Sequence, residues 1–337
     1  MKDKYLIYVG TNSVRGSRGV YTVAADPRDW SMEICSTASA YNSGGICLSP
    51  DGKNLYAAAE GMTFDGNASG GVAAFSVGTD GKLQRIAGQP TGAQRTCCVA
   101  SDEKQVYSCD FIGGVWNAFP RDEEGRIGPA ILNVAPPEGS GWPAVHCIEP
   151  VLDYVCVMSL AECAAVFYRK DDGSRVDIFR FPEHVFPRYL VARGRLIYAM
   201  LQTPGDIFVL DVTPETGKVT CLQRISVLEP DFKGFVGTST LRVTPDGTLL
   251  LAANRSTNSV TVFTIGPDGT LKRESINVLH GEVPRDFNIS RDGRFIAAAM
   301  QRTNELQLAL IDYENKKLVP VGEGIHIPSP AAVAIGE

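Results

Sequence analysis

His146, Arg188, Arg285 and Glu60 have the side-chain chemistry to hold an anion and move a proton. An imidazole with an ordinary pKa of about 6.5 exchanges a proton at neutral pH, and a guanidinium offers a rigid fork of donors to a carboxylate, a phosphate or an oxygen that turns negative during reaction. Both arginines follow a proline, in Pro187-Arg188 and Pro284-Arg285, so one local context occurs twice. Arg255, Arg95, Gln202, Gln301 and Asp110 are candidates for substrate contact around them. These positions run from 60 to 301, and only a chain that returns repeatedly to one place can gather them.

Such a chain is written in the repeats. Ser49-Pro-Asp-Gly recurs as Ser101-Asp-Glu-Lys, Thr244-Pro-Asp-Gly and Ser290-Arg-Asp-Gly, with weaker copies at Glu149-Pro-Val-Leu-Asp and Ala192-Arg-Gly, each followed by an apolar run. Pro at the second place pre-sets its backbone angle and Gly at the fourth accepts a positive one, so each copy is a tight turn between two strands. A period of about 43 to 53 residues is that of a propeller blade. Alternating runs such as Ser259-Val-Thr-Val-Phe-Thr-Ile complete four strands per repeat. With residues 5–10 the copies number seven. The chain opens on a second strand, and residues 330–336 supply the missing first strand, so pairing the two ends closes a ring without open edges. The predicted fold is therefore all-β: one seven-bladed β-propeller of four-stranded antiparallel blades, a single domain over 1–337.

Strand direction then assigns the faces. If the Ser-Pro-Asp-Gly turns lie at one end of the ring, the entrances to first strands and the exits from second strands lie at the other. The entrances carry Gly44-Gly45, Gln94-Arg95-Thr96-Cys97, His146, Arg188-Tyr189, residues 237–240 and Arg285-Asp286; the exits carry Asn12, Glu60, Asp110, Glu162, Gln202, Asn254-Arg255 and Gln301. The mouth so formed is polar and rich in cations, suited to a small anionic molecule. His184, His280 and His326 fall outside both sets.

Composition narrows the classes. A net charge of -6 leaves no basic footprint for nucleic acid. No run reaches membrane-spanning length, and Met1-Lys-Asp-Lys leads directly into a strand, which points to the cytoplasm. The nine cysteines form no zinc-type C-x-x-C pairs and suit a reducing compartment. Adjacent Cys97 and Cys98 are expected to face opposite sides of a strand. A hard metal site needs several inward carboxylates, and quinone docking needs a repeated Trp motif, which three Trp cannot supply. No cofactor and no metal are expected; the oligomeric state is not written in the residues.

Over its whole length the chain resembles the seven-bladed lactonase family that includes 6-phosphogluconolactonase, to which the carboxymuconate cyclases are similar. The resemblance rests on Tyr8-Val-Gly-Thr, Glu229-Pro-Asp-Phe, the stretch from Leu241-Arg-Val-Thr-Pro-Asp-Gly to Asn254-Arg255, Pro284-Arg-Asp-Phe-Asn with Gln301, Pro187-Arg188 and His146. It implies a lactonase-type hydrolase of an anionic sugar-acid lactone, with a muconate-type cycloisomerase or a non-catalytic binding propeller as alternatives. In that reading His146 is the base and Arg188 or Arg285 steadies the oxyanion, with Glu60 and Asp110 as further bases or as ion-pair partners. The chain departs from the family pattern at Gln202, where a glutamate is usual, at Thr240, where an acid is frequent, and at Gln94-Arg-Thr-Cys, where the family has His-Pro-Cys-His. Fewer carboxylates with the same cations imply a substrate other than 6-phosphogluconolactone.

Overall fold

The computed structural model describes residues 4–61, 63–137, 143–229 and 231–336. They form seven four-stranded antiparallel sheets, the propeller expected from the repeats. In blade order the innermost strands are Pro330–Ile335, Ile46–Leu48, Thr96–Ser101, Val145–Val151, Pro187–Arg193, Thr238–Val243 and Pro284–Ile289. The first blade takes its innermost strand from the C-terminal end of the chain and its second, Tyr5–Thr11, from the start, with Ile7 opposite Ile335 and Val9 opposite Val333.

Burial explains why the second strands read as apolar runs and not as alternating ones. Leu249–Asn254 and Phe295–Met300 are buried at every position, because each blade is covered on both faces by its neighbours. The core is accordingly divided. Seven apolar clusters each lie between two adjacent blades, for instance Tyr198, Leu250 and Phe263 between the fifth and sixth. Outermost strands such as Met32–Ser39 alternate and are largely exposed.

The repeated turns behave as their sequence requires. In the sixth blade the Gly247 amide donates to the Thr244 carbonyl at 2.7 Å, Thr244 Oγ1 donates to Asp246 Oδ1 at 2.6 Å, and Gly247 has φ of +72°. A Cβ there would also lie 1.9 Å from the Arg193 guanidinium, which reaches over from the fifth blade to the Gly247 carbonyl. These aspartates are thus structural.

One local feature decides what the channel mouth contains. In six blades the ladder between first and second strands slips at its upper end. The slip omits Cys97, His146 with Cys147, Arg188, Ser239 with Thr240, Arg285 and Ala331. A bulge leaves its extra residue unpaired and re-aims the side chain. Cys97, His146, Arg188, Ser239, Arg285 and Ala331 all line the central cavity.

Candidate functional site

The cavity holds about 520 Å³ at the end of the ring away from the Ser-Pro-Asp-Gly turns, a volume suited to a small molecule. His146, Arg188, Arg285, Glu60, Arg255, Gln202 and Arg95 all line it. A smaller cavity of about 360 Å³, lined by Ser49, Pro50, Glu149 and Arg242, opens at the turn end and shares Ile46, Val99 and Tyr189 with the first. Arg242 pairs with Asp286 at 3.1 Å and stacks over Tyr189, so this group partitions the channel.

Arg188 is 4% exposed and held by neutral acceptors: its Nε donates to the Ser239 carbonyl at 3.0 Å and its Nη1 to Gln202 Oε1 at 2.8 Å. Arg255 donates from Nε to the Gly237 carbonyl at 3.1 Å. Arg285 has no hydrogen-bond or ion-pair partner among the described residues. None of the three is paired with a carboxylate there. Burial, followed by the charges of Arg285 and Arg255, drives Arg188 well below the usual guanidinium range. Burial and then Arg285 lower Arg255 to about 10. The three cations are desolvated and crowded, and although Glu60 and Asp286 offset part of the burial cost at Arg285, neither is ion-paired with it, so the cavity is cationic.

His146 stands beside them with its ring between Phe111 and Phe186, at centroid distances of 5.5 and 6.1 Å. Its Nδ1 is buried without a hydrogen bond. Burial first, then Arg188 and Arg285, hold the imidazole well below its ordinary pKa, so it stays neutral at physiological pH. Glu60 is bound to Arg95, whose guanidinium also lies 5.7 Å from the Phe111 ring centroid. Gly45, at the entrance of the second blade, makes the crowding possible, since a Cβ there would come within 2.6 Å of the Cys97 carbonyl.

Two of the expected contact residues lie elsewhere. Asp110 is 1% exposed and outside the cavity lining, because its carboxylate is consumed by the amides of Arg95, Ile112 and Gly113, closing the loop after its strand. Gln301 is also outside the lining, in the loop that follows the second strand of the seventh blade, with its carbonyl held by Arg15 at 3.2 Å. Glu162 pairs outward with Arg175 at 2.9 Å. His184, His280 and His326 are exposed and away from the cavity. The sequence reading missed Phe111 and Phe186, which directly follow and precede the strands it used; widening each entrance and exit by one residue finds both. It also missed Glu149 in the second cavity, which a weak turn copy concealed.

Among the described residues no cluster of three or more His, Cys, Asp or Glu is placed to hold a metal ion, and no helix is long and apolar enough to cross a membrane. The fold and site therefore define a propeller with a cation-lined cavity at one channel mouth. The chain belongs to the seven-bladed β-propeller lactonase family, whose model matches residues 6–335. It is 25% identical over 346 residues to the 6-phosphogluconolactonase of Bacillus subtilis strain 168, covering 98% of each chain. It is 29% identical over 352 residues to an uncharacterized protein of Lactococcus lactis strain MG1363, covering 99% of each. Among solved structures, the periplasmic gluconolactonase of Pseudomonas aeruginosa superposes with a TM-score of 0.88 at 22% identity, over 99% of each chain.

Proposed function

We propose that this chain hydrolyses a small anionic lactone, held by Arg188, Arg255 and Arg285 and attacked by a water that His146 deprotonates. The observation that carries the reading is the set of three guanidiniums without a carboxylate partner, sharing one cavity with a neutral imidazole. Hydrolysis needs a proton acceptor for the attacking water and a positive donor where the carbonyl oxygen becomes negative. The unpartnered Arg285 suits the oxyanion, and Arg188 and Arg255 suit the substrate's own anionic group. Burial is the main cause of the low His146 basicity, and binding that anion offsets the smaller part that comes from Arg188 and Arg285, so the imidazole gains some basicity in the complex. Glu60, tied to Arg95, serves to position that arginine at the rim. The reaction draws on no metal or cofactor, and the nine free thiols suit a cytoplasmic location.

Gln202 is the residue that separates this site from one built for the family's better-known phosphorylated sugar lactone. Its amide oxygen accepts from Arg188 without neutralising it, leaving the cavity more cationic than a glutamate would. A diacid cycloisomerase is the second reading favoured by that surplus charge, since two carboxylates would balance it. A panel of acidic lactones and unsaturated diacids, followed by proton release and by product analysis, distinguishes the two. Hydrolysis of at least one acidic lactone, abolished by His146→Ala, supports the proposal; ring closure of a diacid with no lactone opening favours the second reading; binding without turnover of any member overturns both.

A further inference from the structure

The expectation that Cys97 and Cys98 face opposite sides fails at the bulge: Cys97 drops out of the ladder, and both residues line the main cavity. Cys97 Sγ lies 4.0 Å from Cys109 Sγ, and Cys98 Sγ lies 4.0 Å from Cys147 Sγ. Cys98 and Cys109 are direct ladder partners. Four thiols thus form one group across the third and fourth blades. Cys109 and Cys147 are buried, whereas Cys97 and Cys98 are half-buried against the cavity. Interaction with the Cys109 and Cys147 thiols draws Cys98 well below the usual cysteine range in spite of burial, and burial raises Cys109 and Cys147. A half-buried thiol on a cavity wall, drawn toward ionisation and 4.0 Å from a fully buried one, is the arrangement of a peroxide-sensing pair.

We propose that Cys98 and Cys147 form a redox modification site in which a peroxide entering the cavity closes a disulfide between the third and fourth blades. The Cys98 thiolate attacks one peroxide oxygen, the O–O bond breaks, and the departing hydroxide is protonated to water, leaving a sulfenic acid. The Cys147 sulfur then displaces the sulfenic oxygen, which leaves as a second water with the Cys147 proton. Two thiols lose two electrons and one peroxide gains them.

Geometry selects Cys147 over Cys109. A disulfide requires about 2.05 Å between sulfurs, so the pair at 4.0 Å must close by about 2 Å. Cys109 is fixed in the ladder on both sides, opposite Cys98 and opposite Trp116. Cys147 sits with His146 in the two-residue bulge, where neither has a ladder partner. It is not tied into a ladder there, and its neighbour His146 in the same bulge lines the cavity, which links the redox state of this pair to the cavity.

The test uses the full-length chain carrying C35S and C221S, which removes the two exposed thiols. Hydrogen peroxide at equimolar concentration is expected to lower the mass by two hydrogen atoms and to yield a linked peptide pair containing Cys98 and Cys147, reversed by dithiothreitol. In this background C98S is expected to give no linked pair, and C147S to leave a sulfenic acid on Cys98 that dimedone traps; C98A repeats the first test with a smaller side chain. A link between Cys97 and Cys109, a link between Cys98 and Cys109, or unmodified Cys98 in folded protein overturns the proposal. Because the readout is the state of sulfur, it is independent of turnover and of the hydrolase reading.

Discussion

Arg285→Gln is expected to stabilise the fold while weakening ligand binding, because the guanidinium it removes is crowded by like charge and partnered by no carboxylate among the described residues. Arg255 falls from 12.5 to about 10, burial first and Arg285 second. That fall corresponds to about 3 kcal/mol at about 1.36 kcal/mol per tenfold change. Assigning the smaller share to Arg285 gives about 1 kcal/mol, and Arg188, which Arg285 also depresses, brings the relief to roughly 1–2 kcal/mol. With unfolding entropy near 2.1 cal/mol/K per residue, the 337 residues amount to about 0.7 kcal/mol/K. The melting temperature should then rise by roughly 1.5–3 °C in low salt. In the opposite direction, losing a charge-assisted contact of about 1.5–3 kcal/mol weakens binding of an anionic ligand roughly ten- to hundred-fold. Differential scanning calorimetry with and without a saturating acidic lactone or its ring-opened acid measures both quantities. A variant that melts below the parent and binds the anion equally well would refute the idea of an uncompensated cationic site.

His146→Ala should lower the maximal rate by roughly 10²- to 10⁴-fold, and the parent's kcat/KM should hold to below pH 6.5, since the folded imidazole resists protonation; a variant with the parent's rate and profile would make the histidine structural. The same depression means that below a pH of about 6.5 the unfolded chain takes up a proton the folded chain refuses, so native stability should fall as the solution is acidified, and less so in the variant. Glu149 is raised from 4.5 to about 8, by burial and then by Cys98. Between those values the folded state keeps a proton that the unfolded state releases, so stability declines as pH rises through the window. Glu149→Gln should remove that slope in urea titrations at low, neutral and high pH, and parallel slopes in the two proteins would exclude it. Deleting residues 330–337 removes the strand that pairs with Tyr5–Thr11 and should abolish cooperative unfolding; a truncated chain with the parent's melting temperature would show that closure is dispensable.

Seven blades, the end-to-end closure and the face on which the cations gather were legible from residue order alone. The reason is that a turn such as Thr244-Pro-Asp-Gly and a run such as Leu249–Asn254 encode their own conformation locally, and strand alternation carries direction forward from them. Arg188, Arg255, Arg285 and His146 could therefore be brought to one mouth without coordinates. Their ionisation could not, since it depends on burial and on the charges that blades far apart in sequence bring together. Local spacing also failed wherever the ladder slips. Strict alternation sends Cys98 away from Cys97, but the bulge sets both on the cavity. Asp110 looked like a free carboxylate until the amides of Arg95, Ile112 and Gly113 claimed it. The repeat determined the ring, because each turn and strand is specified within a few residues; only the packed ring decided which side chains are unpaired and charged, because burial and counter-charge are supplied by neighbours the chain meets last.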